Sequence, residues 1–197
     1  MEKVKPGLYK HNKGQFYRVL TIAKSVKDRE PRVIFQDLVD EYQTWILPLS
    51  EWNKRFTPRD VTNTGEVNKD RVGLILINNK KILMTRTKNK TAYFIPGGYR
   101  AGRESDMHCL AREIKAKLDI DLDAASAHHY GTFISQAYGS IPGVLTRSTF
   151  YLASCKGQLR TGPKLREFVW LNYKDRDQAA SICKIIFDEL YYKGMID

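Results

Sequence analysis

Residues 94–120 read FIPGGYRAGRESDMHCLAREIKAKLDI. The extended run Ala92–Ile95 enters a Pro-Gly-Gly loop, where Gly97 and Gly98 let the backbone turn tightly and come close to a ligand. Ser105 then predicts an N-cap for a helix running to about Leu118. Glu113 and Lys117 stand four residues apart on that helix, with the acid first, which is the favourable order for an ion pair.

Outward from this stretch the pattern is mixed. Ahead of it lie strand-like Val72–Asn78 and Lys81–Arg86, joined at Asn79-Lys80 by a tight turn. Behind it, His129–Tyr138 and Arg147–Ser154 read as a strand pair and Glu167–Leu171 as a further strand. Asp175–Lys193 reads as a terminal helix stopped by Gly194. Strand, loop, helix, strands and helix in that order predict a mixed α/β sandwich over residues 71–197.

The front of the chain differs. Gln15–Lys24, Arg32–Asp37 and Tyr42–Leu47 are short β-branched or aromatic runs between charged turns. Four or five short strands in so few residues predict a small β-barrel over 1–56, since closure removes exposed edges. Thr57–Asp70 is polar and aperiodic, so residues 57–70 are expected to be a linker.

The spacing of Gly98, Glu104, Arg112, Glu113, Ile114 and Ile120 resembles the box of the Nudix superfamily, G-x5-E-x7-R-E-U-x-E-E-x-G-U, with U a bulky aliphatic residue. The resemblance covers about 125 residues and implies a Nudix α/β/α sandwich. It implies a structural role for Glu104 and Arg112, whose salt bridge would brace the loop on the helix. It also implies ligand contacts at Gly97 and Gly98, a phosphate contact at Arg86, and base stacking at aromatic residues such as Phe94 and Tyr138. Tyr93 and Phe133 are further candidates of that kind.

Hydrolysis of a pyrophosphate linkage in that superfamily requires Mg²⁺ or Mn²⁺, held by three glutamates on one helical face. Only the first is present, Glu113; Ala116 and Lys117 replace the other two and Asp119 replaces the glycine. Glu113 is therefore the only catalytic or metal-ligating residue the resemblance assigns, and metal binding is expected to be weak. No Asp or Glu occurs within 124–166, so only Glu167 or the terminal helix is left to supply a late carboxylate. Asp119, Asp121 and Asp123 alternate beyond the helix end and are poorly spaced to converge on Glu113.

Lys5-Pro6-Gly7-Leu8-Tyr9-Lys10-His11, Lys13-Gly14, Tyr17-Arg18-Val19, Trp45 and Pro48-Leu49 resemble a small bacterial domain family of unassigned function. The basic and aromatic residues here suit either an anionic partner such as RNA or a protein, or a simple barrel core.

The formal charge of +11 is uneven. Residues 1–70 hold 13 Lys/Arg against 10 Asp/Glu and residues 71–197 hold 20 against 12, so the surplus lies where phosphates are expected. Three widely spaced cysteines without a CxxC predict reduced thiols in a cytoplasmic protein. Nothing at Met1–Pro6 reads as a secretory signal, and no apolar run is long enough to span a membrane. His11, His108, His128 and His129 lack metal-ligand spacing. The expected function is binding of a nucleotide or nucleoside-diphosphate derivative with impaired or absent hydrolysis. The alternatives are an active Nudix hydrolase using Mg²⁺ or Mn²⁺, and an RNA- or protein-interaction module.

Overall fold

A computed structural model describes residues 4–38, 43–59, 67–140 and 144–197. The chain forms two compact units, Met1–Asn68 with Ile134–Thr146, and Lys69–Phe133 with Arg147–Asp197.

In the first unit, β1 (Gly7–His11), β2 (Phe16–Lys24), β3 (Pro31–Asp37), β4 (Thr44–Pro48) and β5 (Phe56–Arg59) form one antiparallel sheet in the order β4-β3-β2-β1-β5. The expected barrel is not found as a closed one: among the described residues β4 and β5 are the two edges of this sheet. The reason lies between them, where helix α1 (Leu49–Arg55) takes the place of a closing turn. Its Trp52 is fully buried, stacked on Phe56 at 3.7 Å and edge-on to Tyr9 at 5.3 Å. Val19, Val33 and Phe35 complete this core. The expected linker is strand at both ends, Thr57–Arg59 in β5 and Val67–Asp70 in the next strand. Its centre, 60–66, and Tyr42 lie outside the described residues.

The rest of the chain supplies β6 (Val67–Ile75), β7 (Ile77–Asn78), β8 (Lys81–Thr87), β9 (Gly97–Tyr99), α2 (Asp106–Leu118), β10 (Asp121–Leu122), β11 (His128–Gln136), β12 (Leu145–Leu152), β13 (Cys155–Lys156), β14 (Leu165–Leu171) and α3 (Ser181–Tyr192). The sheets are β11-β12-β6-β9, β14-β8-β7 and the short pair β10-β13. Period-two alternation divides the strands between two cores. Val72, Leu74 and Leu83 pack with Cys109, Leu110, Ile114 and Leu118 of α2. Ile75, Ile82 and Met84 pack with Ile182, Cys183, Ile186, Phe187 and Leu190 of α3. The strands therefore carry a helix on each face, the mixed α/β arrangement expected for this part of the chain.

Local signals hold at several joints. Asn79 and Lys80 both have positive φ, 48° and 59°, the mirror-image turn that matches strand twist. Ser105 caps α2 by accepting from the His108 amide. The terminal helix departs from expectation. Tyr173–Gln178 is a 3₁₀ turn, and α3 starts only at Ser181. Between them Ala179 and Ala180 are extended, because Tyr93 bonds across them: its amide donates to Gln178 O at 2.9 Å and its carbonyl accepts from Ala180 at 2.8 Å.

Candidate functional site

The site forms where β9 lies against α2. β9 pairs with β6 in the register Arg71↔Tyr99, Val72↔Gly98 and Gly73↔Gly97. Gly97 has φ 145°, and a Cβ there would stand 2.0 Å from the Val72 carbonyl oxygen. A Cβ on Gly98 would stand 2.1 Å from Cδ of Glu113. Both glycines therefore permit contact, one with β6 and one with the helix carboxylate.

Arg112 grips Glu104 with two hydrogen bonds, Nε to Oε1 at 2.8 Å and Nη2 to Oε2 at 2.8 Å. Nη2 also donates to the Tyr99 carbonyl at 3.1 Å, and the Ala101 amide donates to Glu104 at 3.0 Å. This ties the loop of residues 99–104 to α2 through a planar, charge-assisted fork. Arg112 and the Ala101 amide together hold the Glu104 carboxyl at about 2, down from 4.5. A carboxylate with a lowered folded-state pKa contributes stability above its unfolded value and loses it as pH falls through the folded one. The pair's contribution is thus full above about pH 4.5 and lost between there and about pH 2. Glu104→Gln is expected to lower the melting temperature at neutral pH and to flatten its decline across that window. An acid limb of unchanged slope in a pH series of thermal melts would refute this role.

Glu113 is half-buried and doubly engaged. Its Oε1 accepts from Arg112 Nη1, and its Oε2 faces Lys117 Nζ at 2.9 Å. Burial opposes its ionisation, but the hydrogen bonds and charges of Lys117 and Arg112 outweigh burial and leave its pKa below the usual carboxylate value. Lys117 Nζ also donates to the Gly97 carbonyl. Burial lowers the Lys117 pKa, against the pull of Glu113. An ammonium thus sits between the helix carboxylate and a backbone carbonyl, two oxygen donors of the kind a hard divalent ion requires. Both carboxylate oxygens and the carbonyl are bound by cations of the chain, so the residues present do not fit Mg²⁺ or Mn²⁺. Among the described residues no group of three or more His, Cys, Asp or Glu side chains is placed to hold a metal. Asp119 and Asp121 instead pair with Lys115, at 3.1 and 3.2 Å, and Asp123 accepts from the Ala125 amide at 3.2 Å.

The structure thus brings together Gly97, Gly98, Glu104, Arg112 and Glu113. Arg86 bonds a different set of partners. Its Nε donates to Glu167 Oε1 at 2.8 Å, its Nη2 donates to the same oxygen, and its guanidinium lies 4.6 Å from the centroid of the Tyr93 ring. The Tyr93 hydroxyl donates to Glu167 as well, at 3.1 Å. Glu167, one of the two late sources of a carboxylate named above, is thereby taken up by Arg86, which lowers its pKa. Phe94 is half-buried, bridged to Thr85 and packed on the α3 core. Phe133 and Tyr93 are buried in that same core. Tyr138 is exposed and falls in the first unit.

Sequence reading overlooked Arg71. Its Nη2 donates to the Ile95 carbonyl, its guanidinium lies 6.0 Å from the Phe150 ring centroid, and its Nη1 is buried without a hydrogen-bond partner. The available signal was a cation directly ahead of an apolar strand, in the parity of Gly73. Arg100 was likewise overlooked; it bonds Asp106 and faces Asp70 at 3.2 Å.

Residues 7–62 match the family described as protein of unknown function (DUF1653). No curated protein matches the chain. Among solved structures, the chain is similar to the MutT Nudix hydrolase from Burkholderia pseudomallei, with a TM-score of 0.51 and 18% identity over 61% of this chain and 95% of that one. It is also similar to the MutT protein from Methanosarcina mazei Go1, with a TM-score of 0.53 and 14% identity over 64% and 94%. A putative Nudix hydrolase family member from Chromobacterium violaceum gives a TM-score of 0.52 and 16% identity over 69% and 80%. At such identities the likeness is one of fold, and the fold is Nudix-like.

Proposed function

We propose that this protein binds a nucleotide or nucleoside-diphosphate derivative and turns it over slowly or not at all, acting as a sensor or adaptor. The observation that carries this reading is the Lys117 ammonium on Glu113 and the Gly97 carbonyl. It engages the oxygens a catalytic metal would need, while Gly97, Gly98 and the Glu104–Arg112 brace keep the loop of a Nudix-like fold in order. Without a metal to lower the pKa of the attacking water and neutralise the diphosphate, hydrolysis loses its main source of acceleration. The domain organisation we propose is a front module over 1–56, a connecting segment over 57–70 and a Nudix domain over 71–197.

A thermal-shift series with ADP-ribose and with nucleoside di- and triphosphates tests the reading. A ligand at about 100 times its Kd adds about 2.7 kcal/mol to the native state, a readily measured rise in melting temperature. The same mixtures, incubated with Mg²⁺ or Mn²⁺, are expected to yield no appreciable product. Turnover near roughly 1 s⁻¹, an ordinary if slow enzyme rate, would overturn the proposal.

A further inference from the structure

We infer that the phosphates of the bound nucleotide derivative are held directly by the chain's own cations, Lys117 and Arg71, in place of a divalent metal. This rests on the nucleotide-binding reading above and says how that site recognises its ligand.

The two cations bracket one short piece of backbone. Arg71 Nη2 binds the Ile95 carbonyl and Lys117 Nζ binds the Gly97 carbonyl, two residues on. They are near enough for the Arg71 charge to act on the Lys117 ammonium. An ammonium has three donors. Glu113 Oε2 and the Gly97 carbonyl take two of them, which leaves the third for an anion. The cation therefore joins a helix carboxylate to a phosphate, the bridging part that a metal would otherwise play.

The guanidinium supplies the second contact. Arg112 is balanced by Glu104 and Lys117 by Glu113, whereas among the described residues no carboxylate pairs with Arg71. Its buried Nη1 has no acceptor. A buried donor left in that state is costly, and a charged one more so, unless a ligand or water supplies the oxygen. A phosphate oxygen answers both deficits at once, the missing acceptor and the surplus positive charge.

Inorganic pyrophosphate is the probe. The full chain is titrated with it by calorimetry and followed by melting temperature, once in excess EDTA and once in Mg²⁺. The expected result is binding in EDTA, no tighter in Mg²⁺ and weaker once Mg²⁺ has complexed the pyrophosphate. In EDTA, Arg71→Gln and Lys117→Gln are each expected to raise Kd at least about tenfold. Lys24→Gln, which removes the same charge from the other unit, is expected to leave it unchanged. Pyrophosphate binding that appears only with Mg²⁺ would overturn the inference, as would unchanged affinity in both variants. The EDTA and Mg²⁺ comparison on the unaltered chain is enough to overturn the inference even if a variant fails to fold. Nucleotide stabilisation seen only with Mg²⁺ would sink this inference while leaving the binding function standing. No stabilisation by nucleotide or pyrophosphate under either condition would sink both.

Discussion

The double change Ala116→Glu, Lys117→Glu is expected to give a protein that Mn²⁺ or Mg²⁺ stabilises more than it stabilises the wild type. Positions 113, 116 and 117 lie at i, i+3 and i+4, so three carboxylates would share one helical face. Position 116 is exposed. Removing the ammonium also frees Glu113 Oε2 and the Gly97 carbonyl, which Lys117 now binds. In the absence of metal the variant is expected to melt below the wild type, because three acids repel where an ion pair stood. Hydrolysis of a nucleoside-diphosphate derivative should then appear or rise by at least about tenfold, which is about 1.4 kcal/mol of transition-state stabilisation. Metal-dependent stability without activity would locate the remaining defect away from the helix, consistent with Glu167 being held by Arg86. A folded variant that gains neither would show that positions 116 and 117 do not face the metal site.

Gly97→Ala is expected to be the most damaging single substitution in the site. The new methyl would lie 2.0 Å from the Val72 carbonyl oxygen and 2.7 Å from Cα of Gly73, both backbone atoms that cannot swing away. The residue would also have to hold a φ of 145°, which side chains rarely adopt. Together the collision and the strained backbone are expected to cost about 3 kcal/mol or more. For a domain of this size that corresponds to a melting temperature lower by roughly 6–12 °C. Gly102→Ala is the control: φ there is 57°, but nothing lies within 4 Å of the added methyl. It should cost about 1 kcal/mol, the left-handed penalty alone. Equal losses in the two variants would show that backbone conformation, rather than the approach of β9 to β6, governs the loop.

What the chain determines locally was legible in its sequence. The Asn79-Lys80 turn, the Ser105 cap and the Pro-Gly-Gly loop are set by residues a few positions apart. The Glu113–Lys117 pair follows from i, i+4 spacing along one helix, and the Glu104–Arg112 fork was expected from the resemblance of the box, so both could be named in advance. Tertiary contacts decided the rest. Ala179 and Ala180 favour helix by composition, yet Tyr93, more than 80 residues earlier, bonds across them and holds them extended. Arg86 was free to meet a phosphate in the sequence; β14 brings Glu167 opposite it and forms an ion pair. Arg71, which the sequence did not single out, takes its partner from the segment just ahead of β9, whose Ile95 carbonyl meets Nη2 while Nη1 is left buried without an acceptor. In the front unit alternation specified strands but not closure, and the burial of Trp52 under the sheet put a helix between the edges. The division has a physical cause. Caps, turns and i to i+4 pairs are satisfied within one or two turns of chain, whereas a buried charge or an extended backbone segment takes its partner from whichever element folds against it.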